Sequence, residues 1–324
     1  MTYAQLLLVF VVMPTVALSV AVLVVRQRKR GQKAPEPLWP RLAPVLALMG
    51  VATLYTIPWD NHLIALGVWW YRPTLLLGLS IDHIPLEEAL FFPLQTLLVG
   101  MWWIWLTEWT ALAHGAVAQH DKQVDMGERR SPSGRITLFA AGSAVWLGAL
   151  TFLGAGWRPG TYVGWETVWA LPPLLLQILV GGDILWRRRH VVGWVVAPTA
   201  LYLSGVDALA IHLGIWTIDP RQSLDLLIGG QLPIEELLFF LDTSALIGFG
   251  VVLGAAVETR LRARAVWQAM IALAEPDTIA RHRVRTPVTS PRRLLPEERR
   301  DHDACAAATS AQTPWLKEHG DEFI

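Results

Sequence analysis

Long apolar runs without a charged residue constrain the fold of this chain more than any other feature. Residues 3–25 form a run of 23 uncharged residues, and residues 136–156 form a run of 21. A helix needs about 20 such residues to cross the hydrocarbon core of a bilayer. Only 17% of the residues are charged, whereas soluble domains have roughly a quarter. We therefore predict an all-α, polytopic membrane protein.

The apolar runs and the basic residues together predict the topology. We expect about seven transmembrane helices, over residues 3–25, 41–58, 86–106, 136–156, 164–186, 191–213 and 232–257. Cytoplasmic loops carry an excess of Lys and Arg, and a basic cluster directly follows the first span, at residues 26–33. This predicts a multi-pass protein of the cell membrane, with its N-terminus outside and its C-terminal tail in the cytoplasm. The net charge of zero gives no indication of nucleic acid binding.

Two segments of the chain resemble each other. Residues 84–92 read IPLEEALFF, and residues 232–240 read LPIEELLFF. Upstream, Tyr55, Asp60, Trp69 and Pro73 match Tyr202, Asp207, Trp216 and Pro220 at a constant spacing of 147 residues. This predicts two parallel internal repeats, spans 1–3 and spans 5–7, joined by span 4. The expected segments are a first repeat (1–110), a linker (111–160), a second repeat (161–258) and a polar, disordered tail (259–324).

A pair of adjacent glutamates begins one helix in each predicted repeat: Glu87 and Glu88, and Glu235 and Glu236. The helix dipole favours an acid in the first turn, which explains one glutamate per helix but not two. Ionisable groups at membrane depth are costly and usually functional. Clustered carboxyls in poor solvent hold both protonated and ionised members, which suits general acid–base catalysis. The four glutamates are our candidate catalytic set, and which one is the acid stays open.

Aromatic and acidic residues near the glutamates form a second candidate group. Aromatic faces stabilise a cation, although apolar packing, loop acids and an interfacial aromatic belt are alternative explanations. Asp183 and Asp242 also fall within spans, where we expect structural partners rather than catalysts. The candidates for substrate contact or cation stabilisation are Phe91, Phe92, Phe239, Phe240, Asp60, Asp207, Trp69 and Trp216.

Several motifs that would indicate a cofactor or a metal are missing from the sequence. No Gly-rich turn for a flavin or nicotinamide and no Asp-rich magnesium motif is present. Every lysine lies outside the predicted spans, which excludes a retinal Schiff base. The single cysteine, Cys305, excludes a Cys-rich metal site. We predict no cofactor and no metal.

The repeated Pro-x-Glu-Glu with Phe-Phe, in a small heptahelical chain, resembles the membrane lycopene cyclases of the heterodimeric and fused type. The opening Thr2-Tyr3-Ala4-Gln5-Leu6 is similar to the start of such subunits, and the resemblance covers residues 1–257. Both halves are present, as in the fused form.

The resemblance implies a redox-neutral carotenoid ring cyclase, an intramolecular lyase or isomerase, that converts lycopene in the bilayer to a product with β-rings. An acid protonates a terminal double bond, the cation closes a six-membered ring, and a base removes a proton. Other enzymes of carotenoid biosynthesis are expected partners. The alternatives are a C50 carotenoid cyclase of the same family, a proton-coupled transporter and a non-catalytic carotenoid-binding subunit.

Overall fold

The structure, a computed structural model, describes residues 1–29, 37–113 and 132–274. Seven helices in these ranges are long and apolar enough to cross a membrane, which confirms the predicted all-α polytopic architecture. They are α1 (Tyr3–Lys29, with a π-helical stretch at Leu8–Val12), α2 (Trp39–Ala65), α3 (Leu86–Ala113), α4 (Pro132–Gly154), α5 (Thr161–Arg187), α6 (Arg189–His212) and α7 (Ile234–Ala255).

The predicted tail does not begin as a disordered segment. Helix α8 covers Val257–Ala274, so the expectation of disorder from residue 259 is wrong for residues 259–274. Residues 275–324 of the predicted tail, residues 114–131 of the predicted linker and residues 30–36 lie outside the described ranges.

Helices α3 and α7, which carry the two glutamate pairs, lie at the centre of the bundle. Helix α3 packs against α1, α2 and α7, while α7 also packs against α2, α5 and α6. Helix α4 packs mainly on α5 at the periphery. The two glutamate-bearing helices therefore start side by side in the interior of the protein.

A pair of short strands joins the loops that follow α2 and α6. Strand β1 (Trp69–Tyr71) pairs antiparallel with β4 (Trp216–Ile218). Trp69 lies opposite Ile218, Trp70 opposite Thr217 and Tyr71 opposite Trp216. Trp70 and Thr217 are matched positions at the spacing of 147 residues. A two-fold axis that passes between these two residues produces the observed pairing of β1 with β4.

The same symmetry extends to the ends of the helices. Gly67 follows α2 and Gly214 follows α6, with φ angles of +70° and +65°. The next residue in each case donates its N–H to a carbonyl five residues back, which is the Schellman ending that glycine favours. The chain thus makes the same turn into β1 after α2 and into β4 after α6. Two hairpins, β2 (Ser80–Ile81) with β3 (Ile84–Pro85) and β5 (Leu227–Ile228) with β6 (Leu232–Pro233), precede the glutamate pairs.

Helix α2 is longer than predicted. It continues past Pro58 to Ala65, so Asp60 lies inside the helix and not at its end. The expectation that span 2 ends at residue 58 is therefore wrong. Apolar residues beyond the proline, such as Leu63, are buried in the core and hold the last two turns in place.

Two clusters of ion pairs lie at the helix ends opposite the glutamate pairs. Glu108 on α3 contacts Arg26, Lys29 and Arg41 at 2.6–2.8 Å. Asp183 on α5 contacts Arg135, Arg187 and Arg262 at 2.5–3.6 Å. Asp183 is thus a structural partner, as predicted.

Four prolines inside the helices are matched by aromatic hydrogen-bond donors on neighbouring helices. A helical proline lacks an N–H, which frees the carbonyl four residues earlier, and such a carbonyl needs another partner in a bilayer. Pro14, Pro172, Pro173 and Pro198 free the carbonyls of Phe10, Val168, Trp169 and Trp194, which accept hydrogen bonds from Tyr202, Trp146, Tyr55 and Trp102 at 2.8–3.0 Å.

This pairing predicts a specific coupling between Tyr55 and Pro173. Tyr55→Phe leaves the Trp169 carbonyl without its partner, and we expect a loss of stability of about 1 kcal/mol. In a Pro173→Ala background the alanine N–H takes the carbonyl, so the same Tyr55→Phe change costs less. Thermal unfolding of the four variants in detergent measures the coupling, and equal losses in both backgrounds would contradict this account.

Candidate active site

A cavity of about 50 Å³ lies at the end of the bundle where α3 and α7 begin. Its lining comes from both halves of the chain, including β1 and β4. Four carboxyl side chains face it: Asp60 from α2, Glu88 from α3, Asp207 from α6 and Glu236 from α7. Most of the remaining lining is aromatic or aliphatic. The cavity therefore combines several acids with an otherwise apolar wall.

Each glutamate in the cavity is held by a tyrosine from the start of another helix. The Tyr3 hydroxyl of α1 donates a short hydrogen bond to Glu88 Oε2. The Tyr162 hydroxyl of α5 donates to Glu236 Oε1 at 2.9 Å. Glu88 also interacts with the Tyr71 hydroxyl, and Glu236 with Asp207, so buried polar groups fix the orientation of both carboxyls.

The two aspartates lie close to these glutamates. Asp60 and Asp207 are 2% and 3% exposed, and each has one buried carboxyl oxygen without a hydrogen-bond partner among the described residues. Asp207 interacts with Glu236 and with the Trp216 side chain. Buried polar atoms normally have partners, so these oxygens mark positions where a proton or a polar group can be received.

The other two glutamates of the predicted set do not line the cavity. Glu87 accepts a hydrogen bond from the Leu77 N–H at 2.6 Å, and Glu235 accepts one from the Leu224 N–H at 2.6 Å. Both are at most 1% exposed. Adjacent residues on a helix point about 100° apart, so one member of each pair faces the cavity and the other holds the loop before its own helix.

The aromatic candidates are divided between two sites. Phe91, Phe239, Phe240, Trp69 and Trp216 line the cavity. Phe92 instead lines an apolar groove between α2, α3, α5 and α7. Aromatic rings stabilise a cation through their faces. The aromatic lining of the cavity therefore suits a cationic intermediate.

Four aromatic lining residues were not identified from the sequence: Tyr3, Tyr162, Tyr71 and Trp59. Tyr3 and Tyr162 occupy matched places, yet they are separated by 159 residues and not by 147. A search at one fixed spacing misses them, although the spacing of 159 also relates Pro14 to Pro173.

Burial, and then the charge of Glu88, raise the pKa of the Tyr71 hydroxyl well above its usual value. Tyr71 is therefore a neutral hydrogen-bond donor.

The described residues contain no group of three or more His, Cys, Asp and Glu side chains arranged to hold a metal ion. The absence of a metal or cofactor from the reaction stays a prediction. What the cavity does offer is carboxyls that can give and take protons beside aromatic walls. In a site with little water, such groups act as general acid and general base.

The fold and the cavity define a class of protein: a polytopic helical membrane protein with an acid-lined, aromatic-walled internal site. A family model described as lycopene cyclase matches residues 2–109 and 161–254. The lycopene beta-cyclase of Halobacterium salinarum is 36% identical over 261 residues, which cover 81% of this chain and 99% of that protein. The chain belongs to the lycopene cyclase family.

Fungal relatives are longer. The bifunctional lycopene cyclase/phytoene synthase of Podospora anserina is 35% identical over 214 residues, which cover 63% of this chain and 34% of that protein. The corresponding protein of Phaeosphaeria nodorum is 34% identical over 210 residues, covering 64% of this chain and 34% of that protein. No solved structure matches this chain.

The loop-holding position of Glu87 can be tested without an activity assay. Glu87→Ala removes the acceptor of the Leu77 N–H, and an unpaired buried amide costs about 1–3 kcal/mol. We expect chymotrypsin to cleave at Leu75–Leu79 faster in Glu87→Ala than in the wild type, in protein reconstituted into vesicles. Glu87→Gln keeps an acceptor oxygen and serves as the control. Equal cleavage rates in all three proteins would show that Glu87 does not hold this loop.

Proposed function

We propose that this chain is a lycopene beta-cyclase, which closes the acyclic ends of lycopene into β-rings. The observation that carries the proposal is that Glu88 and Glu236, from two different helices, face one aromatic-walled cavity, each held by a tyrosine. The family membership and the nearly full-length match to the Halobacterium salinarum protein support it.

In the proposed mechanism one cavity carboxyl protonates the terminal double bond of the substrate. The resulting cation is attacked by a neighbouring double bond, and the six-membered ring closes. A second carboxyl removes a proton to leave the ring alkene. Because one proton enters and one leaves, substrate and product are isomers, and no redox cofactor is consumed. Glu88 and Glu236 are the proposed acid–base pair, with Asp60 and Asp207 as their immediate neighbours.

The remaining predicted site residues take supporting roles in this proposal. Glu87 and Glu235 fix the loops that precede α3 and α7. Phe91, Phe239 and Phe240 present rings to the cation, together with Trp69 and Trp216. Water would trap a carbocation, and the apolar wall excludes it.

Two internal repeats, residues 1–110 and 161–258 with a linker at 111–160, are part of the proposal. The two segments matched by the family model have similar bounds. The symmetric register of β1 and β4 and the paired Tyr–Glu contacts also support a duplication.

We further propose that the polyene chain of the substrate lies in the groove between α2, α3, α5 and α7. The lining of this groove is mainly apolar, and Phe239 forms a wall of both groove and cavity. The Trp59 and Trp169 rings stack with Phe239 at 5.8 and 5.9 Å, which completes the partition. A matched groove between α1, α3 and α6 shares no lining residue with the cavity.

The location of the enzyme follows from the apolar helices and the substrate. The seven apolar helices make the chain a multi-pass membrane protein, and lycopene dissolves in the bilayer. We propose the cell membrane as its location, with the N-terminus outside and the C-terminal segment in the cytoplasm. Other enzymes of carotenoid biosynthesis are the proposed partners.

The acid–base assignment predicts a contrast within each glutamate pair. General acid–base groups contribute typically 10²–10⁴-fold, so Glu88→Gln and Glu236→Gln should each lower the cyclisation rate by roughly 10²-fold or more. Glu87→Gln and Glu235→Gln keep an acceptor for the loop amide and should retain most activity. Pigment analysis in a lycopene-accumulating bacterium, normalised to the protein in the membrane, measures the contrast. Full activity of Glu88→Gln and Glu236→Gln would remove both from the mechanism.

The groove assignment can be tested at a matched pair of positions. Ala52 lines the groove next to the cavity, and Thr199, its counterpart 147 residues later, lines the other groove. Ala52→Trp fills the space proposed for the polyene, and we expect a loss of lycopene cyclisation of about tenfold or more, because a blocked chain misplaces the reacting end. Thr199→Trp, compared at equal membrane levels, should retain cyclisation. Loss of cyclisation in Thr199→Trp alone would place the polyene in the other groove.

A further inference from the structure

The two halves of the chain differ at one position in the wall of the cavity. Tyr71, on β1, lines the cavity together with Glu88. At the spacing of 147 residues that relates β1 to β4, its counterpart is Ile218. An isoleucine side chain has no hydroxyl, so only the first half supplies a phenol from this strand.

The hydroxyl of Tyr71 is directed to Glu88. The Trp69 indole N–H donates to the Tyr71 oxygen at 3.1 Å, which leaves the Tyr71 proton for another acceptor. The Tyr71 ring stacks on the Tyr3 ring at a centroid distance of 6.2 Å, and the Tyr3 hydroxyl itself donates to Glu88. Tyr71 is hydrogen-bonded to the same carboxyl. Glu88 therefore accepts hydrogen bonds from two phenols.

Two phenol donors favour the ionised form of the Glu88 carboxyl. A carboxylate is an acceptor only, and each O–H group that donates to it stabilises its negative charge. The Tyr71 hydroxyl keeps its own proton, because burial and the charge of Glu88 raise its pKa. Tyr71 is thus a donor to a carboxylate and not a base itself.

The surroundings of Glu236 favour a proton instead. Tyr162 donates to Glu236 at 2.9 Å, and the carboxyl of Asp207 is hydrogen-bonded to Glu236 as well. Two carboxyls can hydrogen-bond to each other only when one of them carries a proton. The pair formed by Glu236 and Asp207 therefore holds a proton in the cavity.

Another acid lies on the same side. Glu166 follows Tyr162 by four residues, so both lie on one face of α5. Its side chain is 1% exposed, and neither carboxyl oxygen has a hydrogen-bond partner among the described residues. At the spacing of 159 residues that relates Tyr3 to Tyr162, its counterpart is Leu7. Grouped carboxyls in poor solvent cannot all be ionised, which further favours a proton on the side of Glu236.

We propose that Tyr71 is a positioning residue that makes Glu88 the base of ring closure and leaves Glu236 as the acid. This proposal rests on the proposed cyclase function. The pair of Glu236 and Asp207 gives its proton to the terminal double bond, and a neighbouring double bond attacks the cation to close the ring. Glu88 then removes a proton from a carbon next to the new cationic carbon. The electron pair of that C–H bond becomes the ring double bond.

The protons balance over one ring closure. The pair of Glu236 and Asp207 loses one proton, and Glu88 gains one. All three side chains line the same cavity, so return of the proton from Glu88 to the pair restores the starting state. No electrons are exchanged with another molecule.

The position of the ring double bond reports on the base and not on the acid. The ring cation can lose a proton from the carbon that joins the ring to the polyene, from a ring methylene or from a methyl group. Loss from the first carbon gives the β-ring, and loss from the others gives isomeric rings. A displaced base therefore changes the proportion of isomers. A displaced acid acts before the ring exists and lowers only the number of rings.

The assignment of acid and base is tested by shortening each glutamate by one methylene. Glu88→Asp and its matched control Glu236→Asp are expressed in a lycopene-accumulating bacterium, and the carotenoids are separated and quantified at equal membrane levels of protein. We expect each change to lower ring formation roughly tenfold or more, because a misplaced reacting group is much less effective. Only Glu88→Asp should also raise the fraction of isomeric rings.

The role of Tyr71 is tested in the same assay. Tyr71→Phe keeps the ring that stacks on Tyr3 and removes only the hydroxyl, whereas Tyr71→Ile gives the strand the side chain of the other half. We expect both variants to form fewer rings and to raise the fraction of isomeric rings, as Glu88→Asp does. Tyr162→Phe, the control on the side of Glu236, should form fewer rings with the wild-type fraction of isomers.

The outcomes separate this proposal from the function on which it rests. A raised isomer fraction in Glu236→Asp but not in Glu88→Asp would reverse the assignment and overturn the proposal. A wild-type isomer fraction in both Tyr71 variants would show that Tyr71 does not position the base. If neither Tyr71 variant reaches the membrane, the two aspartate variants still decide which glutamate is the base. A wild-type protein that inserts into the membrane but forms no rings would instead overturn the proposed cyclase function.

Discussion

Hydrocarbon offers no hydrogen bonds, and this one constraint underlies most of the polar contacts in the structure. Every carbonyl that a proline frees in a bilayer must find a donor from another part of the protein. At Pro14, Pro172, Pro173 and Pro198 tyrosine and tryptophan side chains supply it, as with Tyr55 on the Trp169 carbonyl and Tyr202 on the Phe10 carbonyl. The same residue type holds the two cavity glutamates.

Sequence patterns predicted the architecture well and the roles of individual residues less well. Seven spans follow from hydropathy alone, because the length of an apolar run reports directly on the bilayer. The predicted span 2 stops at residue 58, before Asp60, whereas packing of the apolar residues that follow carries α2 onward to Ala65. Which of Glu87 and Glu88 faces the cavity depends on how α3 is rotated about its axis in the bundle, and the motif does not specify that rotation.

The tyrosines of the cavity show a different limit to prediction from the sequence. Their importance comes from contacts with residues 74 and 85 positions away, and no local pattern marks them. Their relation to each other uses a spacing unlike that of the other matched residues, because the first and fifth helices are separated by a longer stretch of chain. Glu166 carries no motif at all. It falls within the predicted span 164–186, but its burial without a hydrogen-bond partner among the described residues is seen only in the structure.

A near-symmetric cavity and an asymmetric reaction make different demands on the same residues. Each half supplies one glutamate to the cavity, Glu88 or Glu236, and a tyrosine hydroxyl donates a hydrogen bond to each of them. Protonation and deprotonation are opposite steps, however, so the two carboxyls need unlike surroundings. The hydroxyl of Tyr71, whose counterpart is Ile218, provides one such difference. Matched residues thus account for the near-symmetric shape of the site.

The register of β1 and β4 also has a consequence for how such a protein could be assembled. Each strand finds its partner only in the other half, so a half on its own exposes an unpaired strand edge, a ready site for pairing with another chain. If the two halves were separate polypeptides, this edge would act as their recognition surface. Two copies of one half could pair through the same register, since Trp70 would then face another Trp70. In a chain that contains both halves, β1 and β4 are covalently linked, which favours their pairing over the pairing of two identical halves.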